Sequence, residues 1–137
     1  MTTVLFACIH NAGRSQIAAA FFNTLADPSK ARALSAGTEP AERVQREVVE
    51  AMREVGINLA GARPRLLTPE LVAGVHMLIT MGCGEDCPVV PGARHDDWPF
   101  PDPQGQPTER VRAIRDEIRE RVRKLIAAEG WNQPERA

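Results

Sequence analysis

The apolar positions of this chain follow two alternating patterns. Short apolar runs predict β-strands, while longer segments with apolar residues three or four positions apart predict amphipathic helices. One helical stripe is formed by Val44, Val48, Met52 and Val55. The patterns predict strands at residues 4–7, 32–36, 75–80 and 93–96, and helices at residues 14–25, 39–55, 68–72 and 108–128.

Local signals predict where several of these helices begin and end. Pro28 ends the first helix, because proline has no N–H for the helical ladder. Glu39 and Pro40 begin the second helix, with the proline in its first turn, and Gly56 follows its last residue. Thr68 is placed to cap the short third helix. Residues 130–137 carry no such pattern and are expected to form a loose tail.

Strands that alternate with helices pair in parallel through right-handed crossovers. We therefore expect a single α/β domain over residues 1–137, with a four-stranded parallel sheet in the order 2-1-3-4 and helices on both faces. A chain of 137 residues is long enough to bury such a core. Ligands of these sheets bind beyond the carboxyl ends of the strands, so the functional residues are expected in the segments that follow the strands.

Composition and charge exclude several classes of function. The chain is 43% hydrophobic and 26% charged, and its formal net charge of −1 disfavours nucleic acid or an acidic membrane surface as a partner. It has no apolar run of about twenty residues and no basic, cleavable leader, so neither a membrane span nor secretion is predicted. Its cysteines, an odd number in a chain expected to be cytoplasmic, favour chemistry over structural disulfides.

Residues 8–15, which we call the oxyanion loop, join the first predicted strand to the first predicted helix. Backbone N–H groups at such a junction converge with the positive end of the helix and bind anions. Cys8 stands at the entrance, where these surroundings favour the nucleophilic thiolate, and Arg14 at the exit offers a planar fork for two oxygens of a tetrahedral anion. A lone cysteine at a strand end is more often a small buried hydrophobe, but Arg14 and Ser15 at this spacing favour the chemical role. The residues expected to bind the anion or support the loop are His10, Asn11, Ala12, Gly13, Arg14 and Ser15.

A second pair of cysteines, Cys83 and Cys87, follows the third predicted strand. As zinc ligands they would need two more, yet His95 is the only nearby downstream histidine and the spacing fits no common zinc module. They could also be unrelated loop cysteines. A redox relay is favoured, because Gly82 and Gly84 leave Cys83 free to move and thiol exchange requires an accessible thiol. No metal site is predicted.

Together with Gln16 and Ala18, the oxyanion loop resembles the phosphate loop of the low-molecular-weight tyrosine phosphatase superfamily. Within that superfamily the chain is most similar to arsenate reductases that use three cysteines and a thioredoxin-type reductant, and the similarity extends over residues 4–128. The resemblance implies that Cys8 attacks bound arsenate, that Asn11 holds the loop in shape and that Ser15 supports the thiolate. Phosphate and sulfate are then competing oxyanions.

The resemblance also implies a general acid, which gives a proton to the leaving oxygen. In the family this acid is an aspartate directly before a proline, in the loop after the fourth strand. Among the aspartates of residues 96–102 only Asp102 directly precedes a proline, within residues 98–105, which we call the acid loop. Asp96 and Asp97 are expected to be turn or cap residues, and the alternative for Asp102 is a turn aspartate fixed by its neighbouring prolines.

For the reduction itself, the resemblance implies a relay of thiols. Cys83 attacks the arsenic-bearing Cys8 and releases arsenite, and Cys87 then attacks Cys83. An external thioredoxin reduces the Cys83–Cys87 disulfide with electrons from NADPH through thioredoxin reductase, so no bound cofactor is expected. Some of these reductases place a glutamate of a potassium site where this chain has Ala19, so no potassium requirement is predicted.

Three rival functions remain open on the sequence alone. A phosphotyrosine phosphatase would use Cys8, Arg14 and Asp102, but it would leave the cysteine pair unused, and the chain has no tyrosine to grip an aryl ring. An arsenate transferase coupled to a small thiol would not need the relay cysteines. A non-catalytic module could hold arsenite between three thiols, but it would not need Asp102.

Overall fold

The computed structural model describes residues 1–82 and 90–134. Its strands are β1 (Thr2–Cys8), β2 (Ala31–Gly37), β3 (Met77–Thr80) and β4 (Arg94–Asp97). Its helices are α1 (Arg14–Leu25), α2 (Arg46–Glu54), α3 (Pro69–Val72) and α4 (Thr108–Glu129). The strands pair in parallel in the order β2-β1-β3-β4, which confirms the fold class predicted from the sequence.

The register of the sheet aligns the carboxyl ends of three strands. Cys8 at the end of β1 lies opposite Gly37 at the end of β2, and Ala7 lies opposite Thr80 at the end of β3. The segments that leave these three strands therefore emerge at one edge of the sheet. This is the edge at which parallel sheets bind ligands.

Helices cover both faces of the sheet. Successive strand residues point to opposite faces, so Val4 and Phe6 of β1 join a large apolar cluster whereas Leu5 and Ala7 join a smaller one. Side chains of α1, α2 and α4 complete the large cluster, and side chains of α3 border the small one. None of the helices in residues 1–82 and 90–134 has the length and apolarity that a membrane span requires.

Helix α2 begins at Arg46, and the predicted start at Glu39 is wrong. Residues 38–45 instead run alongside the oxyanion loop and direct N–H groups to it, so that Glu39 donates to the carbonyl of Ile9 at 2.8 Å. Gln45, the residue before α2, has φ −56° and ψ 133°, an extended rather than a helical conformation. Tertiary hydrogen bonds therefore replace the helical ladder that the apolar spacing and Pro40 predicted.

The end of the chain is attached, so the prediction of a loose tail is wrong for residues 130–132. Trp131 packs on Phe22 with ring centroids 5.7 Å apart, and its carbonyl accepts a hydrogen bond from the N–H of Asp27 at 2.8 Å. Gly130 makes the turn out of α4 with a φ of 73°, which glycine adopts without strain. An aromatic side chain buries enough apolar area to fix a short segment. Residues 135–137 lie outside the described ranges.

Asp96 and Asp97 belong to β4, so the expectation that they are turn or cap residues is wrong. An exposed edge strand tolerates acidic side chains because they remain solvated. Thr80 Oγ1 donates to Asp97 Oδ1 at 2.6 Å, and Trp98 Nε1 donates to Asp96 Oδ2 at 3.0 Å. The two carboxylates therefore fix the place where the chain leaves β4 and enters the acid loop.

A cluster of charges ties α2 to α4. Arg112 Nη2 donates to Glu54 Oε2 at 2.6 Å, and the buried Arg115 donates to Glu54 Oε1 at 2.8 Å. These hydrogen bonds, that of Arg112 foremost, lower the pKa of Glu54 from its ordinary value of 4.5 to about 2. Because the folded state has the lower pKa, this stabilisation is complete above about pH 4.5 and is lost as the pH falls towards about 2.

Replacing Glu54 with glutamine should therefore lower the urea midpoint of unfolding at neutral pH. The difference from wild type should shrink as the pH is lowered from about 6 to about 3, because the carboxylate is then progressively protonated in the unfolded state and later in the folded state. Glu42→Gln, at an exposed position before α2, is the matched control and should show little difference at any pH. A difference for Glu54→Gln that stays constant over this range would contradict the assignment.

Candidate active site

The oxyanion loop is the turn from β1 into α1, and Cys8 and Arg14 stand at its two ends. Every backbone carbonyl from Cys8 to Gly13 accepts a hydrogen bond. The donors are the N–H groups of Thr38, Glu39, Ala41, Gln45 and Ile17 and the side-chain amide of Gln16. Most of them therefore belong to the segment 38–45, which we call the supporting segment.

These hydrogen bonds decide what the loop can bind. With its carbonyls turned outward and held there, the loop presents N–H groups on its inner side, next to the N-terminal end of α1. A site of this kind attracts a tetrahedral oxyanion. Gly37 makes the close packing possible, because a Cβ on it would lie 2.5 Å from the carbonyl oxygen of Ile9 and 2.9 Å from the nitrogen of Asn11.

Cys8 lies at the floor of the loop and is only 3% exposed. The N–H of Asn11 donates to Cys8 Sγ at 3.2 Å, and Ser15 Oγ lies 2.8 Å from the same sulfur. Ser15 Oγ also accepts a hydrogen bond from Asn11 Nδ2 at 2.8 Å, and its own proton is available to a thiolate at Cys8. Two donors converge on Sγ, an arrangement that suits a charged sulfur better than a neutral thiol.

Asn11 holds the loop in its conformation. Among residues 1–82 and 90–134 it is the one non-glycine residue with a positive φ, 50°, and it is fully buried. Its Oδ1 accepts hydrogen bonds from the N–H of Arg65 at 2.9 Å and from Gln16 Nε2 at 3.2 Å. With its Nδ2 donating to Ser15, the amide is satisfied on both ends and can hold a backbone conformation that costs an ordinary residue energy.

Gln16 joins the oxyanion loop to a segment distant in the chain. Its Nε2 donates to the carbonyl of Asn11 at 3.0 Å and to the carbonyl of Arg63 at 3.3 Å, in addition to the Asn11 side chain. The absence of a potassium requirement stays a prediction. In the part of the chain that the structure describes, no three His, Cys, Asp or Glu side chains cluster as metal ligands.

Arg14 lies between the acid loop and the end of β3. Its Nη1 donates to the carbonyl of Phe100 at 2.9 Å. Gly82, with a φ of 98°, also comes so close that a Cβ there would overlap Nη1 and lie 3.0 Å from Cζ. The guanidinium is thus positioned by two segments remote in sequence, and the hydrogen bond to Phe100 uses one of its several N–H groups.

Asp102 stands at the rim of the oxyanion loop. Its Oδ1 accepts hydrogen bonds from Gln45 Nε2 at 3.2 Å and from the N–H of Gln104 at 3.0 Å. Next to it, Pro103 is buried, and its Cγ would lie 3.1 Å from a Cβ on Gly13. The acid loop therefore packs directly on the oxyanion loop.

Trp98 anchors the acid loop in the core. It is 2% exposed, and its ring packs on Phe6 of β1 with centroids 5.4 Å apart. The guanidinium carbon of Arg121 lies 5.3 Å from the centre of the same ring, a cation–π contact. The N–H of Trp98 donates to the carbonyl of Thr80 at 2.8 Å. Trp98 is therefore a packing residue of the core.

The relay cysteines, Cys83 and Cys87, lie outside the described residues, so the relay stays a prediction. Met81, just after β3, is buried, and its N–H donates to the carbonyl of Ala7 at 2.7 Å. The chain thus enters the segment that contains them at the sheet edge where Cys8 lies. His95, considered as a zinc ligand, has its Nε2 accepting a hydrogen bond from the N–H of Val90 at 3.1 Å.

Some residues of the site were not predicted from the sequence, whereas His10 was predicted as a loop member. His10 is exposed, with Nδ1 at 3.0 Å from the carbonyl oxygen of Glu39. Sequence reasoning missed the roles of Gln45, Gly82 and the Phe100 carbonyl. The predicted helix start at residue 39 placed Gln45 inside a helix and concealed its position before α2.

The arrangement supports one type of chemistry. The buried thiol of Cys8 can serve as a nucleophile, and the loop N–H groups with Arg14 can bind an oxyanion. Asp102, packed against the same loop, can serve as a proton donor for a leaving oxygen. Together these groups can displace an oxygen from the central atom of a tetrahedral oxyanion or its ester and leave that atom bonded to Cys8.

Comparisons with known proteins agree with this chemistry. A putative arsenate reductase of Halobacterium salinarum is 38% identical over 124 residues, covering 85% of this chain and 85% of that protein. A glutaredoxin arsenate reductase of Synechocystis sp. is 35% identical over 130 residues, covering 93% of this chain and 98% of that protein. The structure of Corynebacterium glutamicum thioredoxin-dependent arsenate reductase Cg_ArsC1' superposes with a TM-score of 0.80 at 38% identity, covering 93% of this chain and 61% of that one.

A family model provides the assignment. The model described as low molecular weight phosphotyrosine protein phosphatase matches residues 3–133, which include the oxyanion loop, the supporting segment and the acid loop. The fold, the sheet order and the thiol–arginine loop at the end of β1 agree with that match. This chain therefore belongs to the low-molecular-weight phosphotyrosine protein phosphatase family.

Proposed function

We propose that this protein is an arsenate reductase that forms a covalent thiol–arsenate adduct on Cys8. One observation carries the proposal: Cys8 Sγ is contacted by the N–H of Asn11 and the hydroxyl of Ser15, in a loop whose carbonyls from Cys8 to Gly13 all accept hydrogen bonds. Arsenate and phosphate share the tetrahedral shape and charge that such a loop selects. Relatives named as arsenate reductases, at 35–38% identity over most of the chain, favour arsenate.

The first step joins sulfur to arsenic. The Cys8 thiolate attacks the arsenic atom of arsenate, which is held by the loop N–H groups and Arg14. One arsenic–oxygen bond breaks, and the leaving hydroxyl group of hydrogen arsenate takes a proton from Asp102 and departs as water. Arsenic remains in its +5 state in the adduct, so this step is a substitution and transfers no electrons.

The second step reduces arsenic. The Cys83 thiolate attacks Cys8 Sγ, the sulfur–arsenic bond breaks, and its electron pair stays on arsenic, which leaves as arsenite in the +3 state. A Cys8–Cys83 disulfide forms, and its two sulfur atoms together lose the two electrons that arsenic gains. Cys87 then attacks Cys83, which frees Cys8 and leaves a Cys83–Cys87 disulfide. The sequence positions of the cysteines support this relay.

We propose a thioredoxin-type dithiol protein as the reductant. The relay ends in a disulfide within one short segment, which a dithiol can reduce by thiol exchange. The similar structure from C. glutamicum is described as thioredoxin-dependent, whereas the Synechocystis relative is named for glutaredoxin, so the donor needs a direct comparison. Either donor belongs to a reducing compartment, in agreement with a cytoplasmic protein.

The testing experiment follows NADPH oxidation by thioredoxin reductase and thioredoxin after arsenate is added. We expect steady, arsenate-dependent turnover that is lost in Cys8→Ser, Cys83→Ser and Cys87→Ser. A parallel assay with glutathione, glutathione reductase and glutaredoxin identifies the preferred donor. Steady turnover by Cys83→Ser would exclude the relay, and absence of turnover by wild type with both donors would exclude the reductase.

The family match favours one second candidate, a phosphotyrosine phosphatase that uses Cys8, Arg14 and Asp102 alone. Its activity would appear as hydrolysis of an aryl phosphate that depends on Cys8 and Asp102 and is unaffected by Cys83→Ser and Cys87→Ser. The absence of tyrosine from the chain disfavours recognition of an aryl ring. Efficient aryl phosphate hydrolysis without arsenate turnover would favour this candidate over the reductase.

A further inference from the structure

Gln45 occupies the junction between the oxyanion loop and the acid loop. It is the last residue of the supporting segment and the N-terminal flanking residue of α2. Its N–H donates to the carbonyl of Ala12 at 2.9 Å, and its own carbonyl accepts hydrogen bonds from Val48 and Val49 in the first turn of the helix. Its backbone is therefore fixed on both sides, and its side chain starts from a rigid position.

The carboxamide of Gln45 fills the space between the two loops. A Cβ on Gly13 would lie 3.1 Å from Gln45 Nε2 and 3.1 Å from Pro103 Cγ, so the amide and the proline share the surface of the oxyanion loop. From this position Nε2 donates to Asp102 Oδ1 at 3.2 Å. Gln45 is thus the side chain that links the carboxyl of Asp102 to the loop that binds the anion.

The other end of the amide is unusual. Gln45 Oε1 is buried, and within the described residues it has no hydrogen-bond partner. Buried polar atoms are nearly always paired, because an unpaired one loses its hydrogen bonds to water without replacement. The amide therefore directs Nε2 to Asp102 although Oε1 gains no partner among the described residues.

The contacts of Asp102 determine which of its two oxygens carries the proton. Both N–H donors, Gln45 Nε2 and the backbone of Gln104, reach the same oxygen, Oδ1. In the acid form the proton therefore resides on Oδ2, the oxygen without these donors.

We propose that Gln45 is the positioning residue of the general acid: it holds Asp102 against the oxyanion loop and directs the acidic proton to Oδ2. The inference rests on the proposed role of Asp102 and extends it to a residue that touches no reacting atom. Gln45 acts through Asp102, so its contribution exists only while the carboxyl is present.

The test is a double-mutant cycle with Gln45→Met and Asp102→Ala. Arsenite formation is followed in a single turnover with enzyme in excess over saturating arsenate, which removes the external reductant from the measured rate. Gln45→Met should lower the rate constant by about 10- to 100-fold, the scale expected when a catalytic group is misplaced by about 1 Å. In the Asp102→Ala background the same substitution should change nothing further. Gln106→Met, exposed on the neighbouring turn, is the matched control and should behave as wild type.

Each outcome has a defined meaning. Effects that multiply in the double variant, or a wild-type rate for Gln45→Met, would overturn the positioning role. A wild-type rate for Asp102→Ala would instead remove the general acid on which the inference rests. The contact between Gln45 and Asp102 can also be tested without an activity assay. In ¹⁵N–¹H spectra, Asp102→Ala should shift the side-chain amide signals of Gln45, while those of the remote Gln133 stay in place. Unshifted Gln45 signals would contradict the contact itself.

Discussion

Replacing Arg14 with lysine should lower kcat/KM for arsenate by about 10²–10³-fold, the loss found when one donor of an oxyanion site is removed. A lysine keeps the positive charge but offers a point donor instead of a planar fork, so it cannot bind two oxygens and the Phe100 carbonyl together. The thioredoxin-coupled NADPH assay measures the change. Because the charge is retained, the loss reports geometry rather than electrostatic attraction.

A matched control separates this effect from general damage. Arg119→Lys makes the same substitution on the exposed face of α4 and should leave kcat/KM and the thermal midpoint unchanged. Arg14→Lys should also keep the thermal midpoint close to that of wild type, since Arg14 is partly exposed and its recorded hydrogen bond is to one carbonyl. Activity within about threefold of wild type for Arg14→Lys would contradict the role of the guanidinium fork.

Replacing Asn11 with alanine should produce the second large effect, a loss of about 3–5 kcal/mol in the free energy of unfolding. The substitution removes the hydrogen bonds to Ser15, to the N–H of Arg65 and to Gln16, and it leaves buried polar groups without partners. It also places alanine at a φ of 50°, where a Cβ is unfavourable by about 1–2 kcal/mol. Urea unfolding measures the total.

Asn11→Gly divides that loss into its two parts. Glycine loses the same side-chain hydrogen bonds but accepts the positive φ, so it should be more stable than the alanine variant by about 1 kcal/mol. The same pair at Asn58, an exposed turn residue without a positive φ, should show the opposite order, because glycine there only adds freedom to the unfolded chain. Equal stabilities for the two Asn11 variants would show that the backbone there is not strained.

The sequence predicted the fold and the two ends of the oxyanion loop because those features depend on local pattern and on topology. Parallel strands must end at one edge, so Cys8 at the end of β1 had to meet whatever followed β2 and β3. The role of Asp102 required the family resemblance as well, since another aspartate–proline pair, Asp27 and Pro28, is present. Pattern alone does not distinguish these two pairs.

The supporting segment could not be predicted in this way. Pro40 and the apolar spacing from Val44 onward satisfy the rules for a helix, and those rules consider only neighbours in sequence. The decisive competitors, the outward carbonyls of the oxyanion loop, lie some thirty residues earlier in the chain and contact the segment only after the sheet has formed. The same mistake hid Gln45, which was assigned to the middle of a helix instead of its first flanking position.

The prediction of a loose tail was wrong for a related reason. The sequence pattern ended the last helix at residue 128, next to its observed end at Glu129, but the prediction of a loose tail ignored Trp131. The Trp131 ring contacts Phe22 on α1, which lies in the large apolar cluster. A prediction should assign a packing partner to a large aromatic residue in a short tail, because its burial outweighs the entropic cost of ordering a few residues.

The bonded carbonyls of the oxyanion loop limit how far this anion site can be transplanted. Moving residues 8–15 into another parallel sheet would carry the thiol and the arginine but none of the supporting segment that turns the carbonyls outward. Without those donors the loop could rotate its peptide groups and present oxygens to the anion. A working graft needs Gly37 and residues 38–45 as well, so the unit that evolution or a designer can exchange is a pair of adjoining chain segments.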